Sequence, residues 1–71
     1  MLRYPIVIEK SGKNYSAYSP DLPGCVATGA TVRQTLSRMR SAIKFHINGL
    51  KREGAAITEP STRVDYIDIA L

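Results

Sequence analysis

The chain has 71 residues, 44% of them hydrophobic and 23% charged, with a net charge of +4. That length fits one domain with a thin core and argues against a large enclosed active-site cleft. One cysteine and one histidine exclude an internal disulfide and a four-ligand zinc site, so oligomerisation is the support left to so small a core.

In chain order, Arg3 to Glu9 is β-branched and aromatic and predicts a strand, with Pro5 at its start or at an unpaired position. Lys10-Ser11-Gly12-Lys13 is a turn, and Gly12 is free to take positive φ. Asn14 to Ser19 predicts a second strand, with Tyr15 and Ala17 on one face and Ser16 and Tyr18 on the other. The short spacing makes the two a hairpin. Pro20 to Gly24 is a stiff loop in which Pro23-Gly24 suits the centre of a type II turn. Asp21 is expected to accept backbone N–H bonds within that turn, a structural role. Cys25 to Thr28 predicts a short third strand.

Thr31 with Gln34 three residues on forms a capping-box pattern. Val32, Leu36, Met39, Ile43, Ile47 and Leu50 then fall within an arc of about 80°, an amphipathic stripe. Gly54 stops the helix, with Lys51 and Arg52 in its last turn. Ala55 to Ser61 is a connector, and Thr62 to Ala70 predicts a fourth strand. On that strand Val64, Tyr66 and Asp68 share one face, and Asp65, Ile67 and Ile69 the other. The β-β-β-α-β order predicts a two-layer α+β fold, an antiparallel meander with one helix on one face. The last strand is expected to return parallel to the first, giving a four-stranded mixed sheet. One helix leaves the other face bare, so a homodimer or higher oligomer is expected. No apolar run reaches a membrane span, no secretory signal opens the chain, and Cys25 is unpaired, which together point to the cytoplasm.

The charge is unevenly placed. Residues 31–52 carry +6 with no acid, whereas residues 53–71 carry −3. Arg33, Arg40, Lys44 and Lys51 fall within about 40° on the helix, a basic ridge beside the apolar stripe that can track phosphates or an acidic partner. No aromatics interleave with it, so base stacking is unsupported. Phe45 lies on the far side of the helix among Arg38, Ser41, Asn48 and Gly49, and is expected to make an oligomer or partner contact.

The run Tyr15-Ser-Ala-Tyr-Ser-Pro-Asp-Leu-Pro-Gly-Cys25, followed by Gly29-Ala-Thr31 opening a helix, resembles the HicB-like antitoxin family. Tyr4-Pro-Ile-Val-Ile-Glu9 and Pro60-Ser-Thr fit the same pattern. The resemblance implies a truncated ribonuclease H-like fold of β-β-β-α-β order. It implies an antitoxin that binds and masks a small basic messenger-RNA-cleaving ribonuclease, a HicA-like toxin. Many members add a C-terminal helix-turn-helix or ribbon-helix-helix. These 71 residues read as a single domain, 1–71, with no room for one, so direct DNA binding is not expected.

Catalysis finds little support. A full ribonuclease H-like enzyme needs clustered carboxylates for two metals. Here Asp65 and Asp68 fall on opposite strand faces and Asp21 sits in a turn, so neither a metal, a cofactor nor a catalytic residue is expected. Glu9 approaching Asp65 or Asp68 is the one arrangement that would give a nuclease. His46 reads as a structural residue at the helix–sheet boundary, and Cys25 as a small packed thiol. Because the expected toxin is basic, Glu59, Asp65, Tyr66 and Asp68 are the toxin-binding candidates. The alternative function is a nucleic-acid-binding module built on the basic ridge.

Overall fold

The computed structural model describes all 71 residues. It has three strands and one helix: β1 (Val7–Ser11), β2 (Asn14–Tyr18), β3 (Val26–Gly29) and α1 (Val32–Arg52). The strands form an antiparallel sheet in the order β1-β2-β3. The fold is α+β, as expected. Its sheet has three strands instead of four, because Thr62 to Ala70 joins no ladder.

Strand β1 starts later than the composition suggests. Its ladder opens at Val7 opposite Tyr18, and β2 ends there because Ser19 turns into the loop. Residues 2–6 therefore continue β1 with no ladder partner. Gly12 and Lys13 alone join β1 to β2, with Gly12 at φ +59. That puts glycine at the first central position of a two-residue hairpin, where a primed turn needs it.

The register decides which side chains meet the helix. Ile8, Ala17 and Ala27 lie in one row across the sheet, and Val7, Tyr18 and Val26 in the next row on the other face. Ala17 is buried with Leu22, Cys25 and Met39 to form the core, and Tyr4, Ile6, Ile8, Ala27 and Ile43 pack around it. The Val7, Tyr18 and Val26 row stays on the open face, where Val26 is 65% exposed.

The helix begins and ends as its caps dictate. Thr31 Oγ1 accepts from Gln34 N at 3.0 Å, and Gln34 Oε1 accepts from Ala30 N at 2.7 Å. The reciprocal bond thus reaches one residue upstream of the cap. At the other end Gly54 adopts φ +69, while Gly54 N donates to Lys51 O and Ala55 N to Leu50 O. Those two bonds make a Schellman motif.

Burial along the apolar stripe of α1 is uneven. Thr35 and Met39 are buried and Ile43 packs on the core, whereas Val32 and Leu36 are exposed. Gly29 faces the first helical turn. A Cβ there would lie 2.6 Å from Thr35 Oγ1 and 2.9 Å from Thr35 N, so only glycine lets β3 approach the first helical turn this closely. The Thr35 hydroxyl is satisfied locally, donating to Thr31 O at 2.7 Å. The helix lies over β3 and β2 and leaves the β1 side of that face thinly covered.

Beyond Ala55 no backbone–backbone hydrogen bond forms. The radius of gyration is 14.1 Å and the longest dimension 51 Å. A globule of this length has a radius near 11 Å, roughly, so the chain carries a projecting segment.

Candidate functional site

The loop Ser19–Cys25 closes on its own backbone. Leu22 N donates to Ser19 O and Cys25 N to Leu22 O, two successive turns closed by Ser19 N to Cys25 O. Gly24 takes φ +88 at the third position of the second turn, as a type II turn after Pro23 requires. This geometry points Leu22 fully inward.

Asp21 has a structural role different from the one its turn suggested. Its Oδ1 accepts from Ser61 N, Ser61 Oγ, Thr62 N and Thr62 Oγ1, all at 3.0–3.1 Å. The donors thus lie forty residues downstream, outside its own turn. The backbone bond from Ser61 is the main cause that holds the carboxyl below its ordinary value, with Thr62 and the two hydroxyls adding to it against desolvation. The other oxygen, Oδ2, is buried without a partner.

A second tether lies beside the first. The Tyr4 hydroxyl donates to Thr58 O. Desolvation raises its pKa, and the negative charges of Glu59 and Asp21 raise it further. Residues 58–62 are therefore pinned across the loop and the N-terminal segment. Neither the Tyr4–Thr58 nor the Asp21–Ser61 contact follows from local sequence pattern. The co-occurrence of Pro-Asp-Leu-Pro-Gly-Cys with a downstream Pro-Ser-Thr was the only signal, and it carries no distance.

After Thr62 the tethering stops. Every residue from Ser61 to Leu71 is exposed, with Tyr66 at 87% and Ile67 at 85%. Asp65 makes the only salt bridge, to Arg63 at 3.2 Å, and accepts from Tyr66 N. Both partners are solvated, so the pair adds little. Glu59, Asp65, Tyr66 and Asp68 thus sit on one exposed closing segment. No three histidine, cysteine, aspartate or glutamate side chains converge into a group that could hold a metal ion.

The helix presents its other candidates on two flanks. Arg33, Arg40, Lys44 and Lys51 are exposed, and none has an acidic partner within the chain. Arg33 and Arg40 flank a shallow hollow with Leu36 and Ser37. Phe45 is 75% exposed on the opposite flank and borders a depression of about 350 Å³ with Gly24, Cys25 and His46. Cys25 itself is buried, and desolvation raises its pKa, which makes it a poor nucleophile.

A groove of about 360 Å³ was not foreseen. Leu2, Tyr4 and Ile6 form one wall, and Leu36, Met39, Arg40, Ile43 and Lys44 the other. It lies on the β1 side of the sheet, which the helix covers least.

These features define a small α+β domain whose exposed chemistry lies in charged and apolar surfaces. Its sequence matches the model of the HicB_like antitoxin of bacterial toxin-antitoxin systems over residues 4–69, so the chain belongs to the HicB-like antitoxin family. An uncharacterized 14.9 kDa protein from the rep-hol intergenic region of Haemophilus phage HP1 is 34% identical over 65 residues, covering 92% of this chain and 49% of that protein. A UPF0150 protein of Thermoplasma acidophilum is 32% identical over 57 residues, covering 79% of this chain and 83% of that one. A UPF0150 protein of Helicobacter pylori is 31% identical over 65 residues, covering 90% of each. The chain thus spans about half the length of the phage relative and most of the other two. No solved structure matches. No helix is long and apolar enough to cross a membrane.

Proposed function

We propose that this chain is a non-catalytic cytoplasmic antitoxin. It acts as one domain that binds a small basic messenger-RNA-cleaving ribonuclease, a HicA-like toxin, and masks its active site. The observation that carries this reading is an exposed closing segment bearing Asp65, Tyr66 and Asp68 on a chain of an antitoxin family. Acids around an exposed aromatic suit a basic partner, because charge steers the encounter and the ring supplies area. Glu59, held near Tyr4, extends the same acidic surface. The working form is a homodimer or higher oligomer whose sheet has the four-stranded, truncated ribonuclease H-like arrangement.

The test is messenger-RNA cleavage by a HicA-like ribonuclease, taken from the neighbouring reading frame where one is present. The wild-type chain at equimolar amount suppresses cleavage, and D65K/D68K does not. Suppression that ignores both substitutions places the contact elsewhere, and undiminished cleavage with the wild type refutes the antitoxin role.

One observation favours a second reading: the four cations of the helix ridge have no acid to pair with inside the chain. On that reading the ridge tracks nucleic-acid phosphates, and retention on RNA or DNA falls with salt and with R40E/K44E.

A further inference from the structure

We propose that residues 64–71 form the missing fourth strand of a second copy, entering the groove between residues 2–6 and α1 of the partner while the partner's tail enters the first copy's groove. The proposal shares Asp65 with the proposed toxin-binding surface, so its test reads the mass of the chain without toxin and uses Ile67, Ile69 and Leu36, which the toxin reading does not invoke.

Three independent features meet here. The tail has strand composition and no partner: Ile67 and Ile69 are exposed, and no residue beyond Val64 borders any cavity of its own chain. The groove has the complementary lack. Apart from Arg40 and Lys44 its lining is apolar, it lies open between the helix and residues 2–6, and residues 2–6 have no ladder partner. Charge also matches. Asp65, paired in the single chain only with the solvated Arg63, is the acid that goes down, while Arg40 and Lys44 border the groove without acidic partners.

Geometry allows the fit. Eight extended residues span about 26 Å, more than the roughly 12 Å that separates Leu36 from Lys44 along the helix. Alternation puts Asp65, Ile67, Ile69 and Leu71 on one face, so one acid and three apolar side chains go down together. Tyr66 and Asp68 then remain outward. Identical tails and grooves close into a two-fold dimer by strand exchange.

The competing dimer stacks two open sheet faces. That face offers only the Val7, Tyr18 and Val26 row, bordered by Glu9, Ser16 and Thr28.

Light-scattering mass across a concentration series separates the two. The wild type is expected to be dimeric. I67D/I69D on the tail and Leu36→Asp in the groove each weaken the dimer by roughly a hundredfold or more, because they put charge into buried apolar contact. Val26→Asp leaves it intact. R40E/K44E weakens it less, and raised salt weakens the wild type in the same direction. Ile67, Ile69 and Leu36 are exposed in the single chain, so circular dichroism of these variants should match the wild type. A monomeric wild type overturns the proposal. So does a dimer that survives I67D/I69D, or one that Val26→Asp dissociates.

Discussion

Residues 19–25 and residues 63–71 are both irregular, yet they are opposites. The loop closes its own backbone bonds in two turns and drives Leu22 and Cys25 into the core. The tail has the stronger strand composition and makes no backbone–backbone bond at all. Local turn chemistry completes a loop within seven residues, whereas a strand is only half of a ladder and needs an edge to bind. Between them, Asp21 and Tyr4 hold residues 58–62 and fix the point from which the tail departs.

The loop side of this comparison should break hardest. Leu22→Ala or Met39→Ala removes a fully buried side chain and should cost about 2–5 kcal/mol, enough to unfold a domain with so few buried residues. Thermal denaturation followed by circular dichroism reads this directly. Gly29→Ala is the next largest, about 1–3 kcal/mol, because the added Cβ must push Thr35 and the helix away from β3.

Asp21→Ala sharpens the boundary between the two regions. It leaves four donors unpaired at residues 61 and 62. Hydrogen exchange at the Ser61 and Thr62 amides should lose its protection, while the amides of β2 keep theirs. The pH dependence follows from the same bonds. The folded carboxyl titrates below its ordinary value of 3.8, so the tether's contribution is present above that pH and lost as pH falls through the folded value. Acid should therefore release residues 58–62, with the Tyr4–Thr58 contact as a second reporter.

The smallest effects on folding belong to the exposed groups. I67D/I69D and Phe45→Ala should each leave the single chain's stability within about 0.5 kcal/mol, since their side chains are largely exposed. Phe45→Ala should still lower affinity for the toxin or for a second copy. If both affinities stay unchanged, Phe45 is not a contact residue.

What could be read from the amino acids divides along the same line. Thr31, Gln34 and Gly54 mark α1 within a residue because caps are local, and Gly12 and Gly24 mark their turns for the same reason. The apolar stripe predicts an amphipathic helix, and Met39 and Ile43 do meet the core, but the burial of Thr35 depends on its close approach to Gly29 across two elements. The donors to Asp21 lie forty residues away and have no periodicity to betray them. Thr62 to Ala70 reads as a strand because composition reports preference for a ladder and not the presence of a partner.

The most direct test is a mixed-label nuclear magnetic resonance experiment on a one-to-one mixture of isotope-labelled and unlabelled wild-type chains. The account predicts intermolecular Overhauser contacts from the methyl groups of Ile67 and Ile69 to those of Leu36 and Ile43. Contacts confined to a single chain, or a tail that touches nothing in a proven dimer, would contradict it.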